Sequence, residues 1–157
     1  MRISSTWNKG MMTSVREDWR TPRSLFHFLD LEFHFALDVC ASPQNFMVPA
    51  YYTVEDGSLD RSWGTIEGTA AWCNPPYGRK IGDWIYKAWA ESQRGATVVM
   101  LLPARTDTRW FHDYCLKGEI RFLQGRLCFD DLRRKRAPFP SMIVIFRRKG
   151  EICRHQI

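Results

Sequence analysis

Apolar and polar positions fall into blocks along the chain, and the period of the pattern changes from block to block. Thr21-Pro22 opens a helix-like stretch, since Thr caps a helix and Pro suits its first turn. Leu25, Phe26, Phe28 and Leu29 follow at mixed helical spacing. His34 to Ala41 reads as a buried strand ending in a polar loop, Ser42 to Asn45. Tyr51 to Val54 is a short β-prone run that stops at Glu55-Asp56-Gly57, and Ala70 to Cys73 is a third strand. Asn74-Pro75-Pro76-Tyr77-Gly78 comes next, and its prolines exclude a helix there. From Ile81 to Gln93 the apolar residues Ile81, Trp84, Ile85, Ala88 and Trp89 share one helical face, and Gly95 ends that helix. Ala96 to Leu102 is nearly all apolar, as in a parallel strand covered on both faces, and Pro103 closes it. Thr108 to Leu116 reads as a helix. Glu119 to Phe129 and Ser141 to Arg148 read as two late strands joined by a basic loop, 130–140.

This order predicts an α/β fold with a mostly parallel sheet and a late antiparallel strand. Ligands of such sheets sit at the carboxyl ends of the strands. Those ends are the loops 38–45, 55–60, 74–79 and 103–108.

Length and composition narrow the picture. The 157 residues suit one domain, and 45% hydrophobic content is too high for a disordered chain. The start, Met1 to Gly10, is polar, and residues 1–12 are expected to form a flexible tail before a single domain over 13–157. The formal charge of +6 makes a polyanion such as nucleic acid the natural partner. The five Cys are odd in number with no Cys-x-x-Cys pair, as expected in a reducing cytoplasm, and with the four His they form no metal-ligand spacing. No apolar run approaches the roughly 20 residues of a membrane span.

Asn74-Pro75-Pro76-Tyr77 at a strand end is the most specific chemical signal. An exocyclic amine of a base is a poor nucleophile because its lone pair is delocalised into the ring. The Asn74 side-chain oxygen and the Pro75 carbonyl can accept its two N–H groups. Both acceptors gain strength as the nitrogen becomes positive, so they favour the transition state. Pro75 and Pro76 hold the acceptors in place beforehand, and Tyr77 can stack on the base. Such a base would have to flip out of a duplex. Trp72, Trp110 and Phe111 are candidates for pocket or gap-filling roles, with the core the commoner place for each taken singly.

A site for the donor S-adenosylmethionine falls to the first two strand ends. In Leu37-Asp38-Val39-Cys40-Ala41-Ser42, Asp38 can bind the methionine ammonium or cap the loop, with Cys40 beside it. Glu55 or Asp56 can accept the ribose hydroxyls. No Gly-x-Gly is present in this loop.

With these residues in view, the chain resembles the small phage-type DNA N-6-adenine methyltransferases related to Dam. The resemblance runs from about Trp19 to Arg147. It rests on Trp19-Arg20-Thr21-Pro22 with Leu25-Phe26, Leu37 to Ala41, Tyr51-Tyr52-Thr53, Asn74 to Gly78, Leu101 to Thr108 with Trp110-Phe111-His112, Gly125-Arg126-Leu127 with Phe129, and Pro138 to Ser141. The motif order is similar to that of γ-type amino methyltransferases. The resemblance implies a Rossmann-like S-adenosylmethionine-dependent methyltransferase fold, with duplex DNA as substrate and S-adenosylmethionine as donor. It also implies that Thr21-Pro22 lies beside the methionine end of the donor. The chain leaves no room for a separate target-recognition domain.

DNA contacts are expected from Arg133, Arg134, Lys135 and Arg136 through phosphates, and from Arg105 and Arg109 near the pocket. A solvated charged turn is the plainer alternative for the 133–136 run. Two other functions share parts of this pattern. One is a methyltransferase of protein glutamine or RNA amines, which would use the same two acceptors. The other is a catalytically silent DNA-binding module, to which the missing glycines give some weight.

Overall fold

The computed structural model describes residues 19–129 and 136–151. The expected N-terminal tail and Arg133, Arg134 and Lys135 lie outside those residues. Helix α1 (Arg23–Phe33) buries Phe26, Leu29 and Phe33. It stops at His34, whose φ of 51° is left-handed and whose N–H reaches the Asp30 carbonyl at 2.9 Å. Asp30 also accepts the Phe35 N–H at 2.7 Å. Helix therefore turns into strand within one residue, and His34 ends α1 instead of opening the strand.

Strand β1 is Phe35–Asp38, β2 is Ala70–Cys73 and β3 is Val98–Pro103. They pair in parallel in that order. β4 (Glu119–Phe122) and β5 (Ser141–Phe146) complete a five-stranded sheet of order β1-β2-β3-β5-β4. Only β5 runs against its neighbours. The fold is thus α/β with a mixed, mostly parallel sheet. Every residue of β2, β3 and β5 is buried, so both faces of the central sheet are covered, as an unbroken apolar strand requires.

Helix α2 (Ile81–Gln93) buries Ile81, Trp84, Ile85 and Ala88, the face expected from its spacing, and Gly95 follows it at φ 101°. It also buries Glu91, which accepts the Trp63 N–H at 3.1 Å and pairs with Lys87 at 2.6 Å. Trp63 stacks on Trp84 at 5.9 Å. One buried carboxylate therefore ties the long 39–69 connection to α2.

Three expected elements come out differently. Tyr51 to Val54 makes a single bridge to β1, Asp38 with Tyr51, and then turns at Gly57, whose φ is 66°. The stretch from Glu119 stops being a strand at Phe122, with Gly125 at φ 78° just beyond. The helix after β3 is short, α3 (Arg109–Asp113), and passes into a 3-10 turn at Cys115–Lys117. Among the described residues no helix is long and apolar enough to cross a membrane.

Candidate active site

The parallel register places Asp38 of β1 opposite Trp72 of β2. The chain then leaves both strands at the same edge of the sheet. There, Trp19, Arg20, Thr21, Asp38, Cys40, Ala41, Ser42, Asn45, Val54, Trp72, Asn74, Pro75 and Pro76 line a cavity of about 210 Å³. Three segments far apart in sequence meet here: the lead-in to α1, the loop after β1 and the loop after β2.

Asn74 is held in the cavity wall by two hydrogen bonds from one end of its amide. Its Nδ2 donates to the Trp19 carbonyl and to Thr21 Oγ1, the latter at 3.1 Å. A carbonyl can only accept, so the Trp19 contact identifies which end of the amide is nitrogen. Asn74 Oδ1 is then left buried with no hydrogen-bond partner. A buried unsatisfied acceptor costs about 1–3 kcal/mol, so Asn74 Oδ1 is an acceptor left open for a water or a ligand N–H.

Asp38 is 2% exposed. Its Oδ1 accepts the Cys40 N–H at 3.2 Å and its Oδ2 the Met47 N–H at 3.0 Å. Desolvation outweighs these two bonds and raises its pKa from 3.8 to about 6. The carboxylate shapes the loop and also lines the cavity, so capping and ligand binding are compatible. Cys40 shares this wall, and burial, with Asp38 close by, pushes its thiol up to about 12. It is therefore a neutral apolar neighbour rather than a nucleophile.

Tyr77 departs from expectation. It is 3% exposed, with its ring edge-on to Phe129 and Phe139 and its hydroxyl donating to the Leu101 carbonyl at 3.0 Å. The ring is committed to the core and lies outside the cavity lining, so in this conformation it is not offered to a base. A tyrosine next to a proline pair gave the sequence no means of separating these two placements. Pro76 is half-buried and lines the cavity instead.

Neither Glu55 nor Asp56 lines the cavity. Asp56 Oδ2 accepts both the N–H and the hydroxyl of Thr53 at 2.8 Å, and Thr53 Oγ1 accepts the Asp56 N–H. These bonds hold the Asp56 carboxyl below its ordinary pKa. The Thr-x-x-Asp spacing before Gly57 was the available signal for such a reciprocal turn. Val54, one residue before Glu55, does line the cavity.

Pro22 rather than Thr21 occupies the N-cap position of α1, with no side-chain cap. The Thr21 hydroxyl serves Asn74. Trp72 lines the cavity and packs edge-on against Phe26 at 5.5 Å, whereas Phe111 belongs to the core and Trp110 is half-buried. Arg109 is exposed and pairs with Asp113 at 3.0 Å. Arg105 is half-buried just past β3, and Arg136 is exposed. Ser42 and Asn45 were not singled out from sequence. The Asn45 side chain accepts the Ser42 N–H at 2.7 Å, and this turn forms part of the cavity rim.

The model of the family DNA N-6-adenine-methyltransferase (Dam) matches residues 9–154. The chain belongs to this family. A DNA N-6-adenine-methyltransferase of Haemophilus phage HP1 is 35% identical over 151 residues, covering 87% of this chain and 82% of that protein. A DNA N-6-adenine-methyltransferase of Escherichia phage T1 is 35% identical over 112 residues, 69% of this chain. That alignment spans 46% of the T1 protein, so this chain corresponds to about half of that relative. The family match covers all three segments that meet at the cavity.

Proposed function

We propose that this chain methylates N6 of adenine in DNA, with S-adenosylmethionine as donor. The observation that carries the reading is the buried, unpartnered Asn74 Oδ1 at the end of β2. It is an acceptor of the kind an exocyclic N–H needs, and the sequence places the Pro75 carbonyl next to it. The sheet, with its cavity at the carboxyl ends of parallel strands, supports a Rossmann-like reading of the fold.

The residues present fit the donor. Asp38 is a desolvated carboxylate in the cavity wall, which suits an ammonium group. The cavity is smaller than the roughly 300–1,000 Å³ of most small-molecule sites, so we assign it to the methionine end, with Cys40 and the backbone of Thr21-Pro22 alongside, the Thr21 hydroxyl being engaged by Asn74. Asp56 is occupied by its own turn. Of the two acids proposed for the ribose, Glu55 is therefore the one whose carboxylate is not taken up by the Thr53 turn. When bound, S-adenosylmethionine supplies an electrophilic methyl on a sulfonium centre.

Asn74 Oδ1 and the Pro75 carbonyl accept the two N6–H groups of a flipped adenine. They draw the nitrogen toward a tetrahedral shape, so that its lone pair is freed from the ring. The donor would supply the methyl group to this lone pair, its sulfur leaving with the electrons of the broken bond, while Asn74 and Pro75 hold N6 in place. N6 becomes positive as this happens, and both acceptors bind it more strongly then. The N6 proton leaves to water. Pro75 and Pro76 keep the loop rigid, and Tyr77 anchors it from the core. Arg105, Arg109, Arg133, Arg134, Lys135 and Arg136 are assigned to the DNA backbone and its approach. The host cytoplasm is the proposed place of action, with residues 13–157 acting as one methyltransferase domain.

Incubation with labelled donor and unmethylated duplex DNA, followed by nucleoside digestion, tests the reading. Label in N6-methyladenine is the expected result. Label only in protein or RNA would replace it with the competing amine or amide chemistry. Absence of donor binding would leave a silent DNA-binding module.

A further inference from the structure

The lead-in to α1 was expected to serve the donor, yet the Trp19 carbonyl and the Thr21 hydroxyl in it both accept from Asn74. Nδ2 of Asn74 has two acceptors there, the Trp19 carbonyl and Thr21 Oγ1 at 3.1 Å. Both lie more than 50 residues upstream in sequence, at 55 and 53 residues. An asparagine amide can turn over by 180° about its last bond, exchanging oxygen for nitrogen at nearly the same positions. In the turned-over form Oδ1 would meet the Trp19 carbonyl, acceptor against acceptor, and an NH₂ would face the substrate amine, donor against donor. The choice between the two forms decides whether the loop can accept an N–H at all.

We propose that Thr21 is a positioning residue for Asn74: its hydroxyl, with the Trp19 carbonyl, holds the side-chain amide in the one orientation that presents Oδ1 to the substrate amine. The inference rests on the assignment of Asn74 Oδ1 as the N6 acceptor. The Trp19 carbonyl sets the sense of the amide, because a carbonyl cannot donate. The Thr21 hydroxyl fixes its angle, because a planar NH₂ with two acceptors has little freedom left to swing. Thr21 is half-buried, so water competes poorly for that bond.

This role separates from a donor contact in kinetics. A residue that touches only the donor changes its Kd and KM. A residue that aims Asn74 changes kcat, because misaimed amides bind donor normally and fail at the chemical step. Thr21→Val keeps the shape and removes the hydroxyl, while Thr21→Ser keeps the hydroxyl. With duplex DNA and donor both saturating, Thr21→Val is expected to lower kcat about tenfold, with the donor Kd within twofold of the parent. Thr21→Ser is expected to restore kcat to within about twofold. A Thr21→Val enzyme with parental kcat, alongside an inactive Asn74→Ala enzyme, would overturn the inference and leave the Asn74 assignment standing. So would a Thr21→Val enzyme whose only defect is a weaker donor Kd. Full activity in Asn74→Ala would remove the assignment on which the inference rests. Should Thr21→Val not fold, Thr21→Ser alone decides, because a tenfold loss of kcat despite an intact hydroxyl contradicts the role.

Discussion

Asp38 stands opposite Trp72 in the parallel register of β1 and β2, and this pairing brings the loop after β1 and the Asn-Pro-Pro-Tyr loop to one cavity. Each loop begins within two residues of that pair. The spacing of Asp38 and Asn74 is therefore set by sheet geometry, not by flexible chain.

The protonation of Asp38 should show in donor binding. Burial raises its folded-state pKa from 3.8 to about 6. Its contribution to stability is accordingly present below about pH 4 and lost as pH rises through about 6. Ammonium binding runs the other way, because it needs the carboxylate. Donor affinity is expected to fall about tenfold per unit as pH drops below about 6. Asp38→Asn should weaken binding and flatten this profile. Calorimetric titration from pH 5 to 8 checks both, and parallel profiles in the two proteins would remove Asp38 from the donor site.

Tyr77 offers a second check, because its ring is in the core. Tyr77→Phe removes only the bond to the Leu101 carbonyl. The expected cost is about 1–3 kcal/mol of stability, since that acceptor is left buried, with transfer within a few-fold of the parent. Denaturant unfolding and initial rates measure the two effects. A hundredfold loss of rate in a stable Tyr77→Phe protein would return the hydroxyl to the chemistry.

Gly118 sets the approach of β4 to β5. A Cβ built there would lie 2.8 Å from the Ile145 carbonyl oxygen and 3.1 Å from the Phe146 ring. Backbone on a central strand cannot yield cheaply, so Gly118→Ala should cost about 1–3 kcal/mol by overpacking. Thermal melting tests this, and an unchanged melting temperature would mean that the edge strand shifts freely.

Neutralising Arg133, Arg134, Lys135 and Arg136 should weaken DNA binding across all sequences. The slope of log affinity against log salt should fall by about 0.9 for each phosphate that the protein no longer neutralises. Fluorescence anisotropy at several salt concentrations measures it. An unchanged slope would move the DNA surface away from this loop.

The parts of the fold legible in sequence were those with a clear period. The apolar run at 96–102 and the one-sided helix at 81–93 came out nearly as read, because burial on two faces or one leaves a direct pattern. Element ends were less legible where a single backbone angle decided them, as at His34, Gly57 and Gly125. That the Asn74 loop and Asp38 meet at one cavity was legible because both lie at strand ends, where the loops of α/β sheets converge. The commitment of Tyr77 to the core was not, since it depends on Phe129 and Phe139, more than 50 residues away. Nor was the hydrogen bond between Thr21 and Asn74, which exists only once α1 has packed on the sheet through Phe26 and Trp72.

The most direct test replaces Asn74 by Ala and measures two quantities on the same preparation: methyl transfer to adenine N6 in duplex DNA, and donor binding. Loss of a buried acceptor that works in the transition state should lower transfer by at least about a hundredfold, with the donor Kd within about twofold. Transfer at the parental rate, or loss of donor binding together with transfer, would contradict the assignment of Asn74 Oδ1 to the substrate amine.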